Sequence, residues 1–194
     1  MLYKVLRAIA NIIFRPLFRV HVEGYENIPL DDGYIICANH KSNWDPIFLA
    51  IVFKRPIHFM GKKELFDVPL LGGLLRNVGV FPVDRDSRDL KSLKHSINLI
   101  KEGKLIGIMP EGTRTKNIDR SNMKDGVAYV ALKSDADILP VEIVSRFIPF
   151  TKTYIYINEV IKVENYKNMK SRQAMELMTD DIFKGIYKRQ LAKE

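Results

Sequence analysis

The stretch Ile35-Ile36-Cys37-Ala38-Asn39-His40-Lys41-Ser42-Asn43-Trp44-Asp45-Pro46 changes from apolar to polar and back towards helix within a few residues. Its apolar start has strand character, and Pro46 is favoured as the first residue of a helix. The reading is therefore strand, polar turn, helix, with His40 at the strand end and Asp45 as a helix N-cap. A strand that feeds a helix through a short turn is the opening half of a β-α-β unit.

Outward from this segment the pattern repeats. Tyr34–Ala38, Ile57–Met60, Val78–Val83, Leu105–Met109, Ile138–Val144 and Thr153–Ile157 read as short strands. Helical periodicity runs from Pro46 to Phe53, around Lys62 to Arg76 and around Val127 to Lys133. A further helix begins after Asp86 or Ser87, carries Leu90, Leu93, Ile97 and Ile100 on one face, and stops at Gly103. Ser171–Lys193 reads as a closing amphipathic helix with Met175, Met178, Ile182 and Ile186 on its apolar face, the methionines serving as core filler. The alternation predicts one α/β domain, a mixed and largely parallel sheet flanked by helices, with functional residues at strand ends.

A chain of 194 residues with 46% hydrophobic and 28% charged residues suits a single globular core. There is no internal repeat or long Gly/Ser/Pro linker to divide it. The balance 31 − 23 gives a net charge of +8, which attracts an acidic partner without choosing among nucleic acid, anionic lipid, phosphorylated substrate and acidic protein. The single cysteine, Cys37, excludes an intrachain disulfide and a thiolate zinc site.

From Met1 to Val20 the polar residues Lys4, Arg7, Asn11 and Arg15 form one narrow helical stripe. The other faces are apolar, and no acidic residue occurs before Glu23. Residues 1–19 are read as a basic amphipathic helix lying in a membrane interface, ahead of a domain over 20–194. The competing reading is a helix that covers the protein's own core. Polar interruptions every three or four positions argue against a spanning helix, and the apolar runs are too short for a secretory signal.

His40 and Asp45 are spaced to face each other across the turn as a histidine–carboxylate pair able to activate a hydroxyl. His21, His58 and His95 lack such a setting and read as solvated or core residues. Arg85, in Gly79-Val80-Phe81-Pro82-Val83-Asp84-Arg85, and Arg114, in Met109-Pro110-Glu111-Gly112-Thr113-Arg114, each follow a strand pattern and could converge on a phosphate. Cys37, three residues before His40, is the alternative nucleophile, though its apolar strand favours a buried thiol. No G-x-S-x-G elbow is present, and no nucleic-acid-binding signature accompanies the basic charge.

Taken together, Asn39-His40-Lys41-Ser42-Asn43-Trp44-Asp45, Gly79 to Arg85 and Pro110 to Arg114 resemble, in order and spacing, the blocks of the glycerolipid acyltransferases, specifically the 1-acyl-glycerol-3-phosphate acyltransferases. Ile138-Leu139-Pro140-Val141 resembles a fourth block that lines the acyl-binding region. The resemblance spans about Val20 to Ser145, with departures at Pro82, where a bulky apolar residue is usual, and Glu142, where a second proline is common. It implies acyl transfer from acyl-CoA or acyl carrier protein to lysophosphatidic acid, with His40 as base and Asp45 orienting it. It implies further that Arg85 and Arg114 hold the phosphate while Glu111, Gly112 and Thr113 shape the loop around it. No cofactor, metal or nucleic acid is implied, and the expected location is the cytoplasmic face of an anionic membrane. Other lysophospholipids, or glycerol 3-phosphate, remain alternative acceptors, and a thioesterase or a non-catalytic basic module remain alternative functions.

Overall fold

The computed structural model describes residues 2–30, 33–84 and 89–192. The elements in chain order are α1 (Leu2–Leu17), β1 (Val20–Glu23), β2 (Ile35–Ala38), α2 (Asp45–Val52), β3 (Ile57–Lys62), α3 (Leu71–Asn77), β4 (Phe81–Val83), α4 (Leu90–Lys101), β5 (Leu105–Ile108), α5 (Gly126–Ser134), β6 (Ile138–Val144), β7 (Thr153–Ile157), α6 (Ser171–Ile186) and α7 (Lys188–Leu191).

A seven-stranded sheet has the order β1-β7-β6-β2-β5-β3-β4. β6, β2, β5, β3 and β4 run parallel, β7 turns back antiparallel on β6, and β1 pairs with β7 in parallel. Thus β2 is central, hydrogen-bonded on both edges and buried along its whole length, as parallel strands covered on both faces must be. The two-residue period then divides its side chains. Ile35 and Cys37 join the layer under α4, α5 and α6, whereas Ile36 and Ala38 pack with Phe48, Leu49, Ile51 and Val52 of α2.

Several expectations are corrected. β1 adds a strand beyond those expected, one that shows little pattern because Val20–Glu23 is short and only half-buried at alternate positions. β4 covers only Phe81–Val83, an edge strand in which Pro82 costs no ladder bond. The long helix expected around Lys62–Arg76 is a 3-10 turn at Lys63–Phe66 followed by α3, because Pro69 disfavours helix at the preceding residue. α4 is capped by Asp89, whose Oδ1 accepts the Ser92 N–H at 3.0 Å; Asp86 and Ser87 lie outside the described residues. Its end is as expected: Gly103 has φ 74, with Gly103 N–H bonded to Ile100 and Lys104 N–H to Leu99. The closing helix breaks at Tyr187 because that side chain is tied inward and Glu142 accepts the Arg189 N–H at 3.2 Å, turning the chain into α7.

α1 lies against the body with its expected polar stripe partly inward. Arg7 donates from Nε to the carbonyls of Ala50 and Phe53, each at 2.9 Å, and from Nη2 to that of Ile51 at 3.3 Å. A cation thereby meets the negative end of α2 and satisfies carbonyls the helix itself leaves open. Leu2, Val5, Ile9, Ile12 and Ile13 face outward and are exposed. Among the described residues, no helix is long and apolar enough to cross a membrane.

Candidate active site

β2 ends where Asn39 replaces a backbone partner with its side chain. Its amide donates to the Ile143 carbonyl at 2.8 Å and its Oδ1 accepts the Ile143 N–H at 2.7 Å, which pins the strand end to β6. His40 follows directly, so its position inherits the rigidity of the central sheet. Its N–H donates to Glu111 Oε2 at 2.6 Å, and its carbonyl accepts the Thr115 N–H at 3.0 Å.

The His40 Nδ1 lies 3.0 Å from Asp45 Oδ2. The same oxygen accepts the N–H groups of Lys41 and Ser42, each at 2.7 Å. Asp45 is therefore not an N-cap. It opens α2 and turns its carboxylate back onto the preceding turn, fully buried. With Nδ1 engaged, Nε2 is the ring nitrogen left for chemistry.

His40 opens into an apolar cleft of about 1090 Å³ that runs between β3, β5, α1, α4 and α5. Phe59 and Met60 of β3, Ile108 of β5 with Met109 just after it, and Leu93 of α4 line it, as does Met175 of α6, which therefore serves more than core filling. The expected acyl-lining block of β6 does not take part. Ile138, Leu139 and Val141 are buried in the two core layers, because β6 lies on the far side of β2 from β5 and β3.

Of the loop after β5, Glu111 is buried and both its oxygens are used inside the protein: Oε2 by His40, Oε1 by the hydroxyls of Thr115 at 2.8 Å and of Tyr187. Its place is beneath the histidine, as a strut. Gly112 lines the cleft with φ 70, and a Cβ there would meet the Lys124 side chain. Thr113 and Arg114 are exposed and lie outside the cleft lining, and Arg85 lies outside the described residues.

The fold adds Lys124 and Lys62 to the cleft wall and Thr115 and Tyr187 to the Glu111 carboxylate, and no sequence motif marks any of the four. Lys124 Nζ sits over Gly112, with the Lys124 N–H bonded to the Pro110 carbonyl at 2.9 Å. Nothing local distinguishes such a lysine or tyrosine from its surface counterparts; only the fold brings Tyr187 to Glu111. Cys37 is fully buried, and burial pushes its thiol pKa well up, so no thiolate is available there. Among the described residues no group of three or more His, Cys, Asp or Glu side chains could hold a metal ion.

A histidine–carboxylate pair thus stands at the carboxyl end of a parallel strand in an α/β sheet and opens on a large apolar cleft, the place where ligands bind in such folds. The profile of the family described as Acyltransferase matches residues 19–144. The 1-acyl-sn-glycerol-3-phosphate acyltransferase of Bacillus subtilis is 30% identical over 185 residues, covering 92% of each chain. That of Streptococcus pneumoniae is 33% identical over 145 residues, covering 73% of this chain and 53% of its own. The crystal structure of the 1-acyl-sn-glycerophosphate (LPA) acyltransferase of Thermotoga maritima aligns with a TM-score of 0.66 at 25% identity, over 93% of this chain and 79% of that one. The chain belongs to the acyltransferase family, and its place there is among the 1-acyl-sn-glycerol-3-phosphate acyltransferases.

Proposed function

We propose that the protein transfers a fatty acyl group from a thioester, acyl-CoA or acyl carrier protein, to the free hydroxyl of 1-acyl-glycerol 3-phosphate, giving phosphatidic acid. The observation that carries this reading is an imidazole fixed at 3.0 Å by a buried carboxylate and opening into an apolar cleft of about 1090 Å³. The cleft offers an apolar path for an acyl chain, and the histidine offers a base at its wall.

In this reading His40 Nε2 takes the hydroxyl proton as the oxygen attacks the thioester carbonyl. Asp45 holds Nδ1–H and balances the imidazolium. The tetrahedral intermediate collapses with cleavage of the C–S bond, and the thiolate leaves with the proton from Nε2. No enzyme side chain is acylated. Holding both substrates together removes much of the entropic barrier, up to about 7–11 kcal/mol in favourable cases. Arg114 and Arg85 are assigned to the phosphate, joined by Lys124 beside Gly112. The outward apolar face of α1 suits the interface of an anionic membrane, at its cytoplasmic side, where acceptor and product reside.

The test is turnover with lysophosphatidic acid in liposomes, each thioester being offered separately, for wild type and His40→Ala. Wild-type phosphatidic acid formation that falls by roughly 10²–10⁴-fold in a folded variant is the expected result. Thiol release without acylated lipid marks a thioesterase. Transfer only to another lysophospholipid or to glycerol 3-phosphate moves the acceptor.

A further inference from the structure

The connection between β3 and β4 carries apolar side chains that the fold does not bury. Leu65, Val68, Leu70 and Leu74 are exposed at 42%, 45%, 92% and 43%. The segment is nevertheless anchored. Phe66 is buried beneath it, and Gly72 lies so close to the Phe66 carbonyl that a Cβ there would meet its oxygen at 2.2 Å. Leu74 N–H bonds back to Leu70, and Gly72 N–H to Val68, each at 3.0 Å.

Leu70 adopts φ 65 and ψ −44, a conformation that L side chains rarely take. The anchored fold thus holds a large leucine in strained backbone to point it at solvent. Leu65 and Leu74 are at once exposed and part of the cleft wall, facing the cavity that Tyr3 and Leu6 of α1 also line. The outer apolar surface therefore meets the cleft of His40 at Leu65 and Leu74.

We propose that the segment Leu65–Leu74 inserts into a lipid leaflet and forms the lip over which acyl chains pass between the bilayer and the cleft. The proposal rests on the acyl-transfer reading for what passes, but not for where the segment lies. A bilayer is favoured over a protein partner because a protein seated on this patch would seal the cleft mouth. Lys62, Lys63 and Arg76 flank the leucines at the level of anionic headgroups, with Glu64 3.7 Å from Lys62 and Asp84 2.6 Å from Lys63 moderating the charge, and Asp67 at the turn.

The lone cysteine makes a direct test possible. Cys37 is the sequence's only thiol and is fully buried, so Leu70→Cys in the full chain carries the one accessible thiol for an environment-sensitive fluorophore. Mixed phosphatidylglycerol–phosphatidylcholine vesicles should shift its emission to the blue, and nitroxide-labelled lipids should quench it several-fold. A label that keeps its aqueous emission with vesicles overturns the proposal. So does a blue shift produced by acyl carrier protein alone or by raised protein concentration alone. Val68→Ser/Leu70→Ser should then turn over acceptor in vesicles at least about tenfold more slowly, and a short-chain acceptor dissolved as monomer at the wild-type rate. Equal loss with both acceptors also overturns it. A wild-type protein that transfers to neither acceptor defeats the acyl-transfer reading, while the fluorescence still decides where the segment lies.

Discussion

At the scale of single residues, the site is a set of backbone positions held by buried side chains. Asn39 fixes the strand end, Asp45 gathers two amides and the imidazole, and Glu111 ties the His40 N–H to Tyr187. The phenol of Tyr187 has its pKa raised by burial and by the Glu111 carboxylate, so it stays a donor. Tyr187→Phe leaves that carboxylate oxygen with one donor fewer in a buried place. The expected cost is about 1.5–3 kcal/mol of stability, with a lower kcat at unchanged KM, measured by denaturant unfolding and steady-state kinetics on the same protein. His40 and Asp45 were legible because spacing, a strand end and Pro46 coincide within one turn. The strut was not, since Glu111 and Tyr187 are brought together by topology alone.

At the scale of elements, α1 resolves a conflict between two readings of one amphipathic pattern. Its inner face, with Tyr3, Leu6, Arg7 and Ala10, walls the cleft, while Leu2, Val5, Ile9, Ile12 and Ile13 remain outside. Covering the body and meeting a lipid surface are compatible because they use opposite faces. Ile9→Ser/Ile12→Ser/Ile13→Ser removes only outward side chains, so the protein should lose most vesicle binding in a sedimentation assay while its melting temperature moves little. Comparable loss of melting temperature would show those residues packing on the protein instead. Helix and strand periodicity located most elements to within a residue or two. It failed where punctuation overrode it, as at Pro69 in the expected helix around Lys62–Arg76, and where a strand was too short to show a pattern, as in β1.

At the scale of the whole molecule, stability should depend on pH through at least one half-buried imidazole. His58, on β3, donates from Nδ1 to the Gly79 carbonyl at 3.0 Å, and burial holds its pKa below the ordinary 6.5, with Lys104 and His95 adding to the depression and the Gly79 bond and Glu102 opposing it. The unfolded chain then takes up the proton first as pH falls. The corresponding stability is present above about pH 6.5 and is lost progressively as pH descends through the folded value. Urea unfolding between pH 7.5 and 5 should show this slope, and His58→Gln should flatten it; an unchanged slope would assign it to other groups. The sheet order itself was only partly legible. Alternation announces a parallel α/β sheet, but nothing local tells β2 that its neighbours are β5 and β6, made much later in the chain.

That order has a consequence for biosynthesis. As the chain leaves the ribosome, His40 and Asp45 emerge early, yet Glu111, the β6 residue Ile143 that Asn39 clasps, and Tyr187 follow in that sequence. The nascent chain therefore carries His40 and Asp45 long before these distant partners exist, and the last of them joins only after Tyr187 has cleared the exit tunnel.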